Sequence, residues 1–300
     1  MSLPVIDFKD VSDTGPAIDA SLAHIGFMQV RNIGVEPELV RRVFAASAEF
    51  FDGPAAIKEA CRYRSAAENF GYQGLTDENL DPDAPADLKE TFTMRNIVNK
   101  PPADDRWPSA EFRDLMQRFY REALGAAHAI QRELASELGV PDDFFVRAHT
   151  GENVTLRLLH YPSSGVETVE AEQMGAGAHT DYGFLTLLFQ DDVGGLQVID
   201  VSGNWIDVPP VDEAIVVNSG DLLERWTNCK YKSTVHRVLP RVGHRDRLSI
   251  AMFIDPDSDT DVTVLPSCTS ADNPARFTPV TAGAHLQSKL EASHKGRFES

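Results

Sequence analysis

Hydrophobic and polar positions along this chain follow two different periods, and the change between them falls near Val154. Before it, the spacing is mainly helical. Leu39, Val40, Val43, Phe44, Ser47, Phe50 and Phe51 follow Glu36–Pro37 at helical intervals, and Gly53–Pro54 ends the segment. A longer helix is predicted from about Ser109 to Leu138, with Phe112, Leu115, Met116, Phe119, Ala123, Ile130 and Leu134 on one broad face. Gly139 accepts a left-handed cap and Pro141 cannot continue the ladder, so the helix stops there. Between these helices, residues 65–108 are rich in Gly, Pro, Asp and Asn and leave edge strands or a cover open.

After Val154 the runs become short and strand-like, at 154–161, 184–190, 196–201, 205–208, 214–218, 231–239 and 247–254. Turn-forming groups divide them: Asp191–Asp192–Val193–Gly194–Gly195, Ser202–Gly203–Asn204 and Arg241–Val242–Gly243–His244. Many short strands joined by tight turns predict a sandwich or barrel. The tail after Asp255 contains Pro and Ser and turns helix-like around 281–292. No linker divides the chain. One domain over 1–300 is expected, with a helical or mixed region to about residue 110, a β core over 150–255 and a tail over 256–300. The fold class is mainly β with α additions.

Composition narrows the partners. The chain of 300 residues is 42% hydrophobic and 25% charged, the balance of a globular protein with a sizeable core. Its formal net charge is −18, which repels phosphate backbones and anionic lipid surfaces. A small-molecule substrate is therefore expected, with no nucleic acid and no membrane partner; the oligomeric state is left open. Cys61, Cys229 and Cys268 form neither a CxxC pair nor a disulfide framework, so a reducing cytoplasm is expected. The start MSLPVIDFKD shows no signal peptide, and no apolar stretch approaches the roughly 18 residues that a membrane span needs.

The informative segment is GAHTDYGFLTLLFQDDVGGLQV. His179 and Asp181 are two apart, so on an extended backbone they share a face. Imidazole nitrogen and carboxylate oxygen both suit a first-row divalent metal, and His236 in YKSTVHRVLP can supply a third ligand from a neighbouring strand. Two His and one carboxylate on one face of an octahedron leave positions open for a co-substrate and dioxygen, the arrangement of iron(II) oxygenases. His-x-Asp alone is a weak signal, because such pairs often only share a hydrogen bond. In RDRLSIAMFID, Arg247 and Ser249 are again two apart on an apolar strand. The Arg fork and the hydroxyl together match a carboxylate; an Arg paired with an internal acid is the plainer alternative.

With these motifs in place, the chain resembles the isopenicillin N synthase-like branch of the iron(II)/2-oxoglutarate-dependent dioxygenases over nearly its whole length. LPVIDF, HIGFMQVRNIGV, LRLLHYP, AHTDYGFLTLLFQDDVGGLQV, VVNSGDLLERWTN, YKSTVHRV and RLSIAMF carry the likeness. The resemblance implies a double-stranded β-helix (jelly-roll) core flanked by helices, with Fe(II) on His179, Asp181 and His236. It implies that Arg247 and Ser249 anchor the distal carboxylate of 2-oxoglutarate, with Tyr161 joining them. Many plant relatives carry Asn where this chain has Leu159, so any co-substrate contact from that Asn is absent or replaced. The implied reaction couples dioxygen and 2-oxoglutarate to oxidation, by default hydroxylation, of a small metabolite, releasing succinate and carbon dioxide. Two alternatives stand beside it: an oxidase of the same branch in which Arg-x-Ser binds the substrate's own carboxylate, and a jelly-roll binding or sensor protein with an inert metal.

Other residues are weighed against duller roles. Arg225, beside Trp226, and Phe184, with Leu188, could face a substrate or simply pack. Histidines 24, 128, 149, 160, 244, 285 and 294 lack ligand spacing, and alternation turns His160 away from Tyr161's face. Asp87, Lys89 and Glu90 read as a surface charge cluster.

Overall fold

The computed structural model describes residues 3–10, 13–75, 77, 87–163, 174–240 and 245–295, with side chains as far as 291. The predicted turn at 241–244, with His244, lies outside the described residues, as does the side chain of His294. The chain opens with β1 (Val5–Asp7), α1 (Thr14–His24), β2 (Phe27–Arg31) and α2 (Pro37–Phe51). Short α3 (Ala55–Ala60), β3 (Phe70–Gln73) and β4 (Glu90–Arg95) lead to the long α4 (Ala110–Glu137) and to α5 (Phe144–Ala148). Next come β5 (Thr155–Tyr161), β6 (Ala176–His179), β7 (Leu185–Gln190), β8 (Leu196–Ile199), β9 (Trp205–Asp207) and β10 (Ile215–Ser219). Helix α6 (Asp221–Trp226), β11 (His236–Val238), β12 (Arg247–Ile254), β13 (Asp261–Val262), β14 (Val280–Thr281) and α7 (Ala282–Lys295) complete the order.

The two helices predicted from spacing form as expected. Ser109 caps α4 by accepting from the Phe112 amide at 3.1 Å, and Gly139 takes φ +65 beyond its other end. The expectation of a mainly helical first half needs correction, because β1–β4 are all strands of the larger sheet. Strand β2 hides its nature because four of its five residues are buried, leaving no polar alternation to read. The predicted run at 231–239 shrinks to His236–Val238. Before it, Lys232 donates to Leu22 O, Ser233 to Glu224 Oε1 and Thr234 to Ile25 O, so α1 and α6 hold this backbone rather than a ladder.

Among the described residues, eight strands in the order β1-β2-β10-β7-β12-β5-β4-β3 face a four-stranded sheet, β6-β11-β8-β9. Strand alternation gives the large sheet two apolar faces. Leu156, Leu158, Leu187, Phe189, Ile250 and Met252 point outward and pack with Phe50, Phe112, Phe119 and Ile130 of α2 and α4. Leu159, Tyr161, Leu188, Val216 and Ala251 point inward to meet Ala176, Leu196, Val198 and Val238 of the small sheet. Each large side chain so buried stabilises the fold by about 1.5–3 kcal/mol. Helices α2 and α4 cover the outer face, and the inner faces of the two sheets are left to face each other.

Candidate active site

Strand β6 ends at His179, and β11 begins at His236, directly opposite it in the antiparallel register. Asp181 sits just past the strand, two residues on, and its carboxylate converges with the His179 ring as the two-residue spacing implied. The segment from Asp181 is fastened to the start of α6: the Asp221 amide donates to Asp181 O at 2.8 Å and the Leu222 amide to Gly183 O at 3.0 Å. Gly183 is required there, since a Cβ would overlap Asp255 Oδ1.

The three side chains converge. His179 Nε2 lies 3.8 Å and His236 Nε2 lies 3.7 Å from Asp181 Oδ1. Each imidazole is oriented from behind, His179 Nδ1 on Gly177 O at 2.7 Å and His236 Nδ1 on Thr234 O at 3.1 Å. With Nδ1 carrying the proton, each Nε2 is left to bind a metal. Asp181 is held the same way: its Oδ2 accepts from Thr186 Oγ1 at 2.5 Å and from Asn218 Nδ2 at 2.7 Å, leaving Oδ1. Burial, then the neighbouring His236, push the proton affinity of His179 down to about 4, so the ring is neutral at pH 7. Burial opposes the charge on Asp181, but the two imidazoles and the hydrogen bonds from Thr186 and Asn218 outweigh it and hold the carboxyl below its usual range. Among the described residues, this is the one group of three or more His, Cys, Asp or Glu able to hold a metal ion. Two imidazole nitrogens and one carboxylate, with no further protein ligand among the described residues, fit iron(II).

A second constellation lies on the inner face of the large sheet. The register sets Arg247 opposite Tyr161, and Ser249 opposite both Leu159 and Gln190. Arg247 is fully buried. Its Nη1 donates to Ser249 Oγ at 3.1 Å and its Nη2 to Gln190 Oε1 at 3.3 Å, and the guanidinium lies 4.8 Å over the Tyr161 ring. Among the described residues, Arg247 Nε has no partner and no carboxylate comes within ion-pair distance. The internal acid that the plainer alternative needs is therefore not found among them.

Other candidates land elsewhere. Phe184 is fully buried among Phe145, His149 and Trp226, so it is core rather than pocket wall; its neighbour in sequence, Leu185, continues the outer apolar face. Arg225 is occupied by the C-terminal segment, donating to Thr278 O at 2.6 Å and stacking on Phe277 at 5.0 Å. Leu188 does face the space between the sheets. His160 faces outward, bridging Glu90 Oε1 at 2.8 Å and Asp246 Oδ2 at 2.9 Å. The surface cluster expected at Asp87, Lys89 and Glu90 is overturned: these residues are 2%, 3% and 6% exposed. Thr186, Asn218 and Gln190 were not singled out from sequence. Each is a polar residue at an inward position of an apolar strand, and that inconsistency was the available signal.

Comparison with known proteins agrees with this geometry. Residues 152–256 match the family model of the 2OG-Fe(II) oxygenase superfamily, and residues 3–114 match that described as non-haem dioxygenase in morphine synthesis N-terminal. The 2-oxoglutarate-Fe(II) type oxidoreductase hxnY of Emericella nidulans is 34% identical, with 99% of this chain and 91% of that protein covered. The chain belongs to the 2OG-Fe(II) oxygenase superfamily. This oxygenase also superposes on a full-length Neurospora crassa protein, solved in complex with alpha-KG, with a TM-score of 0.88 at 32% identity, covering 97% of this chain and 96% of the other. Against JOX2 in complex with 2OG, Fe and JA the TM-score is 0.84, at 30% identity, covering 99% and 86%. The fold is thus the jelly roll that the resemblance implied, here as two facing sheets. The chain is an Fe(II)- and 2-oxoglutarate-dependent dioxygenase acting on small molecules, in place of the sensor reading and of the oxidase that dispenses with 2-oxoglutarate.

Proposed function

We propose that this oxygenase hydroxylates a small polar metabolite, with His179, Asp181 and His236 holding the iron. In this reading Arg247 and Ser249 take the distal carboxylate of 2-oxoglutarate, and Tyr161 closes that pocket beside them. The observation that carries the assignment is Arg247 itself, a fully buried cation with an unpartnered Nε and no acid in reach among the described residues. A buried charge in that state calls for an anion, and a carboxylate offers two oxygens to the guanidinium fork. When bound, the iron supplies the oxidising chemistry with dioxygen and 2-oxoglutarate. The protein's part is to bind, orient and exclude water.

The substrate's character is read from the inner wall. Leu188, Leu159 and Phe253 give it apolar surface, while Thr93 Oγ1 and Gln29 Oε1 are buried there without partners among the described residues. A compact molecule with hydrogen-bonding edges suits such a wall. The N. crassa relative has been solved with thymine and with 5-formyluracil, and JOX2 with JA, which supports a substrate of that size. The net charge of −18 supports a small molecule over a nucleic acid or a membrane surface.

The test is anaerobic titration of the apo-protein with Fe(II) and then 2-oxoglutarate, monitored by visible absorption. A band that needs His179 and weakens in Arg247→Ala is the expected result. Iron binding without any 2-oxoglutarate band would remove the Arg247 assignment, and absence of iron binding would remove the metal assignment. Turnover on a panel of small polar metabolites, read as succinate release matched to a hydroxylated product, then tests the reaction.

A further inference from the structure

The pair Asp87 and Lys89 lies outside the metal triad and is the most deeply buried ion pair among those described, with side chains 2% and 1% exposed and Nζ 2.6 Å from Oδ2. Burying two charges costs several kcal/mol per ion unless further hydrogen bonds compensate. Asp87 has such a bond, because its Oδ1 accepts from the Gly177 amide at 3.0 Å, and the Leu88 amide beside it donates to Met174 O at 3.1 Å. The segment 87–88 therefore fastens β6 along the side that β11 leaves open.

That side needs fastening. Strand β6 is the edge of the small sheet, and its ladder with β11 breaks register between His236↔His179 and Val238↔Ala176. One more residue lies on β6 than on β11 in that interval, so Gly177 and Ala178 sit in a bulge. Gly177 O is the atom that accepts from His179 Nδ1 at 2.7 Å. Within the bulge, then, Gly177 is gripped at its amide by Asp87 and at its carbonyl orients the first metal ligand.

We propose that the Asp87–Lys89 pair is a positioning unit of the metal centre, with Asp87 holding the bulged Gly177 and Lys89 neutralising Asp87. The inference rests on the metal assignment above. Partners behind a ligating imidazole fix its ring and tautomer, and their loss weakens metal binding by roughly 10- to 100-fold.

Two double variants remove both charges of the pair and differ in whether an acceptor is left for the Gly177 amide. Asp87→Asn/Lys89→Met keeps an acceptor for the Gly177 amide, and Asp87→Ala/Lys89→Met removes it. Apo-proteins would be titrated anaerobically with Co(II) while its visible absorption is followed, with circular dichroism as the check on folding. The Asn variant is expected to bind Co(II) close to wild type, and the Ala variant roughly 10- to 100-fold more weakly. A merely structural role would lower the melting temperature of both and leave their Co(II) affinities equal, and equal affinities overturn the proposal. If the Ala variant fails to fold, Asp87→Ser/Lys89→Met, too short to reach Gly177, must show the same weakening. Wild type serves as the control: failure of wild type to bind Co(II) or Fe(II) would defeat the metal assignment, and the proposal with it.

Discussion

Replacing Arg247 by Met should leave the ligand-free protein as stable as the parent, or more stable, although it alters a fully buried residue. A well-paired buried Arg would lose about 3–5 kcal/mol on removal of its charge, because its acid would be left unpaired. Arg247 has no such acid among the described residues. Its compensation is two neutral acceptors, at 3.1 Å and 3.3 Å, and the Tyr161 ring. Hydrogen bonds from a charged donor contribute about 1.5–3 kcal/mol each at good geometry. The longer of the two is at the weak end, and the ring adds roughly 0.5–2 kcal/mol. Against these stands a desolvation cost of several kcal/mol for the cation. The terms nearly cancel, and Met fills a similar length, so a change within about 1–2 kcal/mol of zero is expected.

The ligand response separates the variant from the parent. At a concentration 100 times its dissociation constant, a ligand that binds only the folded state adds about 2.7 kcal/mol. For a chain of 300 residues, at about 2.1 cal/mol/K of unfolding entropy per residue, that corresponds to a rise of roughly 4 °C in Tm. The assay is anaerobic calorimetry of the Mn(II)-loaded protein with and without saturating 2-oxoglutarate. Wild type should show the rise and Arg247→Met should not, while their ligand-free melting temperatures stay close. A ligand-free variant destabilised by about 3 kcal/mol or more, or one whose Tm still climbs with 2-oxoglutarate, would refute the reasoning.

Three further outcomes follow from named contacts. Asn218→Ala removes one of the two donors on Asp181 Oδ2, so metal affinity should fall roughly 10- to 100-fold in a competition titration, with the fold intact. His160→Asn should alter stability as a function of pH: burial opposes the proton on His160, but Glu90 and Asp246 outweigh it and raise its pKa above 6.5. Its contribution is then complete below pH 6.5 and lost as pH rises through the folded value, so urea melts should show wild type losing its advantage over the variant upward from pH 6.5. Phe184→Ala opens a cavity among Phe145, His149 and Trp226 and should cost about 3–5 kcal/mol, while the KM of the folded protein stays unchanged; a KM shift without destabilisation would return Phe184 to the pocket wall.

Helices α2 and α4 were legible because polar residues mark the side of each away from the core. Strands β5, β7 and β12 are covered on both faces and were legible as short apolar runs bounded by turn residues. Strand β2, five residues long, is too short to show a period, and Lys89 misled for a different reason. A lysine between an aspartate and a glutamate reads as solvent-facing, yet the strand beginning at Glu90 sends alternate residues to two interiors. Glu90 goes outward to His160 and Tyr72, and Lys89 turns to Asp87. Composition has no means of signalling that both sides of such a strand are covered. The triad and the Arg-x-Ser pair were legible because each is a local two-residue spacing. The supports behind them were not, since Thr186, Asn218, Gln190 and Gly177 arrive from separate elements and only the sheet register joins them.

The two halves of the site are built on opposite principles, and the difference bears on how they fill. Every metal-binding side chain has its other polar atom already satisfied: the two Nδ1 atoms on carbonyls and Asp181 Oδ2 on two donors. Little has to move, or lose solvent, when a metal arrives, so that half is held ready by the fold. The Arg247 half is under-satisfied, with a buried cation whose Nε finds no acceptor among the described residues. Its deficit is relieved only by an anion, so the same guanidinium that contributes little to the empty fold contributes strongly once 2-oxoglutarate is seated. A rigid metal half and a deficient anion half together make the folded chain select for its co-substrate: the metal fixes one end of the molecule, and the unmet charge of Arg247 draws the other.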